Sequence, residues 1–265
     1  MAVAGNTSFI DSLRLQLRVL GALLMREIIT RYGRDNLGFL WLFVEPMMFT
    51  LGVTALWTAA GLHHGSSLPI VAFALTGYSS VLLWRNMPSR CAMAIGANAG
   101  LLYHNNVRVI DLFIVRVLLE FIGATISFTV LAILFTSLGM MGAPVDILGV
   151  LLGWIFLAWF GCALAMIIGA LTARSEVVER LWHPTAYLLF PLSGAAFMVE
   201  WLPTNFQQVI LLLPMVHGIE ILRDGYFGTA VRTHYSVGYI FVVVMLMTLV
   251  ALLLVRDAGR RVEIE

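Results

Sequence analysis

The chain has 265 residues, 60% hydrophobic and 12% charged, with a formal net charge of +1. Soluble domains carry about 25% charged residues, so this composition, with a mean hydropathy of +0.93, excludes an ordinary soluble fold. All sixteen basic residues are arginine, and a chain without lysine excludes a Walker A nucleotide site, a kinase and a Schiff-base enzyme.

Residues 8–35 are expected to form an amphipathic helix. Ile10, Leu13, Leu17, Leu20, Leu24 and Ile28 recur at steps of three and four, with Asp11, Arg14 and Arg18 on another face. An arginine-rich helix of this kind suits the head-group layer, and an ordinary helix packed on protein is the alternative. No small-residue cleavage site follows an apolar core near the start, so no cleavable signal is expected.

Apolar runs long enough to cross about 30 Å of hydrocarbon follow at 37–61, 69–88, 112–138, 147–172, 181–199 and 236–255. The polar stretch 91–106 separates the second run from the third, and a charged hairpin, RSEVVER, leads to the fifth. Segment 200–235 is apolar but interrupted by Pro203, Pro214, Gly218, Gly225 and Gly228. Irregular backbone at membrane depth must be buried in protein or line a cavity, so two half-helices entering and leaving on the same side are expected there, with a loop on the surface as the alternative. The expected fold class is thus an all-α integral membrane protein. It has six transmembrane helices, an N-terminal amphipathic interface helix and re-entrant helices before the last span, in one domain over 1–265. Placing the N-terminus inside leaves only Arg223 and Arg232 on outer segments, so both termini are expected in the cytoplasm.

No catalytic motif of the H-E-x-x-H or G-x-S-x-G kind is present, and no Gly-rich phosphate loop. The isolated Cys91 and Cys162 read as small buried hydrophobes. Charges within the spans carry more weight, because an ionisable group at the bilayer centre costs at least ~2.5 kcal/mol and must face protein or water. Arg116 and Glu120 stand one helical turn apart and can meet, either as a structural pair near the interface or as part of a charged ring at an inner entrance. Trp41 and Trp57 stand near opposite ends of the first span, as an aromatic belt predicts. A sugar pathway would also favour aromatic faces. His217, Glu220 and Asp224 share a face if helical, with Arg223 beside Glu220, which suits an outer gate, a partner contact or a self-satisfied network.

One stretch is unusual. In RYGRDNLGFLWLFVEP, residues 31–46, Glu45 and Pro46 interrupt an apolar run. Pro46 removes a backbone donor and bends the helix, and a carboxylate at that depth cannot face lipid. Glu45 is therefore either buried against a neighbouring span or the N-terminal helix, or it is a polar station on a substrate path or dimer seam.

The segment REIITRYGRDNLGFLWLFVEPMMF, with PLSGAAFMVEWLP and LLLPMVHGIEILRDGYFG later in the chain, resembles type-2 ABC exporter permeases, and within them the KpsM-like capsular-polysaccharide export branch. The resemblance runs over essentially the whole chain. It implies a homodimer with a central conduit, and a separate cytoplasmic ABC ATPase that carries the ATP and Mg, with no cofactor and no catalysis in this chain. Residues 91–106, including Asn98, Leu102, Tyr103, His104 and Asn105, would contain the coupling helix that meets the ATPase, with a smaller contact at 173–182. The cargo would be lipid-linked polysaccharide, handed to a periplasmic adaptor and an outer-membrane exporter, with no nucleic-acid partner. The place would be the bacterial inner membrane. Arg31, Arg34 and Arg90 would attract anionic groups of the glycolipid at an inner entrance that also holds Trp41, Glu45, Arg116 and Glu120. Export of O-antigen, teichoic acid or a small lipid or drug by the same fold remains an alternative, as does an ion-driven secondary transporter.

Overall fold

A computed structural model describes residues 9–33, 40–61, 68–102 and 107–262. Among them every regular element is a helix: α1 (Phe9–Tyr32), α2 (Trp41–Ala59), α3 (Ile70–Ala92), the one-turn α4 (Ala94–Ala97) and α5 (Ala99–Leu102), α6 (Val109–Ser137), α7 (Ile147–Thr172), α8 (Glu176–Leu192), α9 (Thr204–Ile210), α10 (Pro214–Phe227) and α11 (Val237–Val262).

Local chemistry accounts for the ends. The Asp111 carboxylate reaches back to accept the Arg108 backbone N–H at 2.9 Å and closes the start of α6. Asp146 accepts the Leu148 N–H at 2.9 Å and opens α7. Ser175 caps α8 through the Val177 N–H at 3.3 Å, and Glu176 and Glu179 sit in its first turn, where the helix dipole favours them. The expected hairpin RSEVVER is therefore mostly helix. Only a corner at 173–175 separates α7 from α8, because Ser175 and the two carboxylates together nucleate a helix start.

α3 and α7 form the centre. Ala72, Ala74, Leu75, Val81, Leu83 and Trp84 of α3 are fully buried, and its Thr76 and Ser80 hydroxyls donate to backbone carbonyls one turn earlier at 2.8 and 2.6 Å. α7 meets its neighbours through glycines: a Cβ on Gly161 would stand 2.8 Å from Trp84 Cα, and one on Gly153 2.5 Å from the Leu222 nitrogen. Small residues let helix backbones approach where lipid supplies no hydrophobic drive between them.

Among the described residues four helices are long and apolar enough to cross a membrane: α2, α6, α7 and α11. α9 and α10 together would make a fifth but are bent by 107°. The expected count of six needs α3 and α8 as well. α3 falls short on composition, carrying Arg85, Asn86 and Arg90, which its burial inside the protein permits. α8 has only 17 residues and contains Pro184 and Pro191. Gly218 of α10 lies against Leu157 of α7, and Gly225 against Gly149. α10 thus runs antiparallel to α7, with Gly218 about 15 Å along α7 at 1.5 Å per residue and Gly225 beside α7's first turn. There the Asp146 and Val145 N–H groups donate to the Gly225 and Tyr226 carbonyls at 2.7 and 3.2 Å.

Candidate functional site

At the end of the bundle that holds α1, four charges from four helices converge. Arg31 ends α1, Glu45 lies in the first turns of α2, Arg90 in the last turn of α3, and Glu120 in the first half of α6. Arg31 Nη1 donates to Glu120 Oε1. Arg90 Nε lies 3.2 Å from the same oxygen. Glu45 Oε2 stands 3.9 Å from Arg31 Nη2 and 3.7 Å from Arg90 Nη2. Glu120 is buried and Glu45 is exposed. The Arg31 contact to Glu120 is a charge-assisted hydrogen bond, and the Arg90 contact an ion pair. Those to Glu45 are longer than a hydrogen bond and of the exposed kind that contributes about 0–1 kcal/mol.

Pro46 shapes this cluster. Without an N–H it leaves the Leu42 carbonyl, one turn earlier, with no helical donor. That carbonyl faces Gly123 of α6, where a Cβ would stand only 2.6 Å from the oxygen. α2 thus lies directly on α6 beside Glu120, three residues from Gly123. The sequence raised the question of Glu45's partners, and they are Arg31 and Arg90.

Arg116 departs from expectation. It pairs at 3.0 Å with Glu27 of α1 and donates to the Arg90 carbonyl, while Glu120, one turn on, takes Arg31 and Arg90. The spacing places the two within reach, but α1 lies across α6 and offers each a better-placed partner. Glu27 is not among the residues that the sequence pattern singles out. Its signal was the adjacent pair Arg26–Glu27, four residues before Thr30 and Arg31 in a helix otherwise apolar on that side. Arg26 in turn donates to the Asn98 side-chain oxygen, and Gln16 to Asp111, so α1 is strapped to both the 94–102 segment and α6. Asn98 is buried and also donates to the Ala94 carbonyl at 2.9 Å. Leu102 ends α5, half-buried. Arg34, Tyr103, His104 and Asn105 lie outside the described residues.

The tryptophans divide. Trp41 is exposed at the start of α2. Trp57 is buried, edge-on to Tyr78 and stacked on Phe73 with centroids 5.4 and 6.1 Å away, so it does not form the outer half of a belt. Its neighbours on α3 are aromatic, and the ring gains more by packing there than at an interface. Trp154 and Trp159 donate to Thr125 of α6 and Thr248 of α11 at 2.9 and 3.0 Å.

At the other end, the polar side chains of α10 bond within the chain. Arg223 is completely buried. It donates to the Gly194, Ala195 and Phe197 carbonyls at 2.7 Å each and lies 3.9 Å over the Phe73 ring. Gly77 of α3 makes room, since a Cβ there would meet Arg223 Nη2 at 2.8 Å. Glu220 accepts the Val199 and His234 backbone N–H groups at 3.2 and 2.9 Å. His217 accepts the Ser236 N–H at Nδ1, 3.0 Å away, which leaves Nε2 to donate to the Leu211 carbonyl at 2.7 Å. Asp224 accepts from Thr233 and Tyr235 at 2.8 and 3.0 Å. Outside this core, Glu200 pairs with His234 and, at 3.6 Å, with Arg232. The His234 hydrogen bond, then Arg232, hold the Glu200 carboxyl below its ordinary value of 4.5. The α10 side chains join the 194–201 and 233–236 segments into one unit.

Apolar helices long enough to span a bilayer, a helix strapped across one end and a charge cluster beside it describe an all-helical, membrane-embedded protein. Residues 18–227 match the ABC-2 type transporter family, and the chain belongs to that family. Among its relatives is the capsule polysaccharide export inner-membrane protein CtrC of Neisseria meningitidis serogroup A, 44% identical over 97% of each chain. Another is the capsule polysaccharide export inner-membrane protein BexB of Haemophilus influenzae, 42% identical over 99% of each. The polysialic acid transport protein KpsM of Escherichia coli is 25% identical over 81% of this chain and 84% of its own.

Proposed function

We propose that this chain is the membrane permease of an ATP-driven exporter that moves lipid-linked capsular polysaccharide out of the cytoplasm. The observation that carries this reading is 42–44% identity, over nearly the full length of both chains, to inner-membrane proteins named for capsule polysaccharide export. Without a lysine it carries no P-loop, so the ATP and Mg would be bound by a separate ATPase.

The working unit would be a homodimer in the inner membrane with both termini cytoplasmic. Arg174, at the corner between α7 and α8, bonds Asp257 near the end of α11 at 2.8 Å. Arg31, at the end of α1, meets Arg90's partner Glu120. These contacts support placing both termini at one end of the bundle. The ATPase would dock on the 91–106 segment. Its movement would reach α1 through Arg26 and Asn98, and the spans through Glu27 and Arg116, a shift between two rigid arrangements. α9 and α10 would be the re-entrant pair at the outer mouth, delivering cargo to a periplasmic adaptor and an outer-membrane exporter. Arg34 would join Arg31 and Arg90 at the inner entrance.

A deletion strain complemented with this chain tests the reading. Deletion should abolish surface capsule, with polysaccharide retained inside the cell, and complementation should restore it. Retention of a different glycan, with capsule unaffected, would reassign the cargo. Co-purification of an ATPase subunit with the tagged chain tests the division of labour.

A further inference from the structure

One stripe of α7 lines two cavities in succession. Leu148, Leu151, Ile155, Ala158 and Cys162 recur at alternating steps of three and four, so they share a face of the helix. Leu148, Leu151 and Ile155 are exposed. The first cavity, of about 560 Å³, lies at the start of α7 against Ile221 and Asp224 of α10, Tyr235, and Val237 of α11. The second, of about 350 Å³, is walled by Met87 of α3 and by Val117 and Phe121 of α6. Ile155 lines both, and there they join into one groove. From Leu148 to Cys162 the groove runs about 21 Å at 1.5 Å per residue. Its far end is apolar, and its charged groups are all at the mouth.

The mouth carries two carboxylates, Asp146 and Asp224. The Asp146 backbone N–H donates to the Gly225 carbonyl at 2.7 Å, which sets Asp146 beside the residue that follows Asp224. Asp146 Oδ1 caps α7, and Gly149 leaves room at Oδ2, since a Cβ there would stand 3.1 Å from it. Asp224 takes the neutral hydroxyls of Thr233 and Tyr235. Among the described residues neither acid is ion-paired. The arginines of 200–235 are committed elsewhere, Arg223 to three carbonyls and Arg232 to Glu200. An acidic mouth on an apolar groove along a membrane-embedded helix is complementary to a lipid with a cationic head group.

We propose that this groove holds one phospholipid of the bilayer whose head group ends in a primary ammonium. The ammonium lies at Asp146 and Asp224, and one acyl chain follows α7 toward Cys162. A primary ammonium offers three donors to the remaining carboxylate lone pairs, whereas a quaternary one offers none. Quaternary ammonium heads are held by aromatic cages, and Tyr235 is the one ring at this mouth. Both acids repel an anionic head. The length agrees as well. Half of a ~30 Å hydrocarbon core is about 15 Å, so the groove takes a chain to the midplane and leaves space for the head. The lipid touches α7, α10 and α11 together, and so braces α10 against the bundle.

The test uses the full chain in nanodiscs with lipids spin-labelled near the chain end. Phosphatidylethanolamine is the probe, and phosphatidylcholine and phosphatidylglycerol are the references. The motionally restricted fraction of the probe should exceed that of either reference severalfold. Joint Asp146→Asn and Asp224→Asn substitution should bring phosphatidylethanolamine down to the phosphatidylcholine level, because asparagine keeps the cap and the accepted hydrogen bonds but not the charge. Ile155→Trp, at the exposed junction of the cavities, should lower retention of all three lipids. Equal retention of the three by wild type, a preference that survives the double substitution, or retention unaffected by Ile155→Trp would overturn the site. Release of the probe by soluble phosphoethanolamine as effectively as by unlabelled phosphatidylethanolamine would overturn the lipid assignment. These readouts involve neither cargo nor an ATPase, so the groove can fail while the export reading stands.

Discussion

Gly123 of α6 lies against the carbonyl oxygen that Pro46 of α2 leaves without a helical donor, that of Leu42. The proline frees the carbonyl, the glycine lets α6 reach it, and the close approach brings Glu45 over the arginines that Glu120 holds. A proline in one helix and a missing side chain on another therefore set the geometry of a charged cluster to which each of these helices adds a carboxylate.

Gly123→Ala should separate α2 from α6. The added methyl would stand 2.6 Å from a backbone oxygen, and overpacking of this kind costs about 1–3 kcal/mol. Thermal unfolding in detergent should show a lower Tm. Gly52→Ala in α2, where a Cβ meets nothing within 4 Å, should leave Tm unchanged or raised. Equal effects from the two variants would contradict the contact.

Arg116 should be coupled energetically to Glu27 and not to Glu120. The pair is partly buried and 3.0 Å long, so a double-mutant cycle with alanine at both positions should return an interaction of about 1–2 kcal/mol. The cycle between Arg116 and Glu120 should return a value near zero. Reversal of that order would restore the pairing expected from helical spacing.

Arg223 should be replaceable by no other residue, lysine included. Three carbonyls surround a planar guanidinium lying on Phe73, a set that an ammonium cannot match. Arg223→Met leaves the Gly194, Ala195 and Phe197 carbonyls without this donor, and each buried acceptor left unpaired costs about 1–3 kcal/mol. Tm or yield of folded protein after solubilisation would report it. A well-folded Arg223→Lys variant would argue against the carbonyl cage.

The outer clasp should be acid-sensitive. Glu200 is held below its ordinary value of 4.5, so its contribution to folding is fully present above that value and is lost as pH falls through the lower folded one. The Tm difference between wild type and Glu200→Gln should therefore be constant near neutrality and shrink below pH 4.5. A difference that grew on acidification would have the wrong sign for this carboxylate.

The helical, membrane-embedded class of the protein was legible in the sequence, because hydropathy and the helical repeat are local properties. The run 147–172 coincides with α7, and the breaks at Pro203 and Pro214 fall at the starts of α9 and α10. Polar groups inside apolar runs were also visible as needing partners, since hydrocarbon offers none.

Which partner each one takes was decided only by tertiary structure. Spacing put Arg116 within reach of Glu120, yet α1 crosses α6 and gives Arg116 to Glu27 and Glu120 to Arg31. The second-span arginine that completes the cluster, Arg90, comes from a helix end that runs four residues past the expected span. Glu45 looked like an anomaly in a hydrophobic run because its counter-charges lie on two other helices. A pairing of that kind is a property of how helices cross, and no window of sequence contains it.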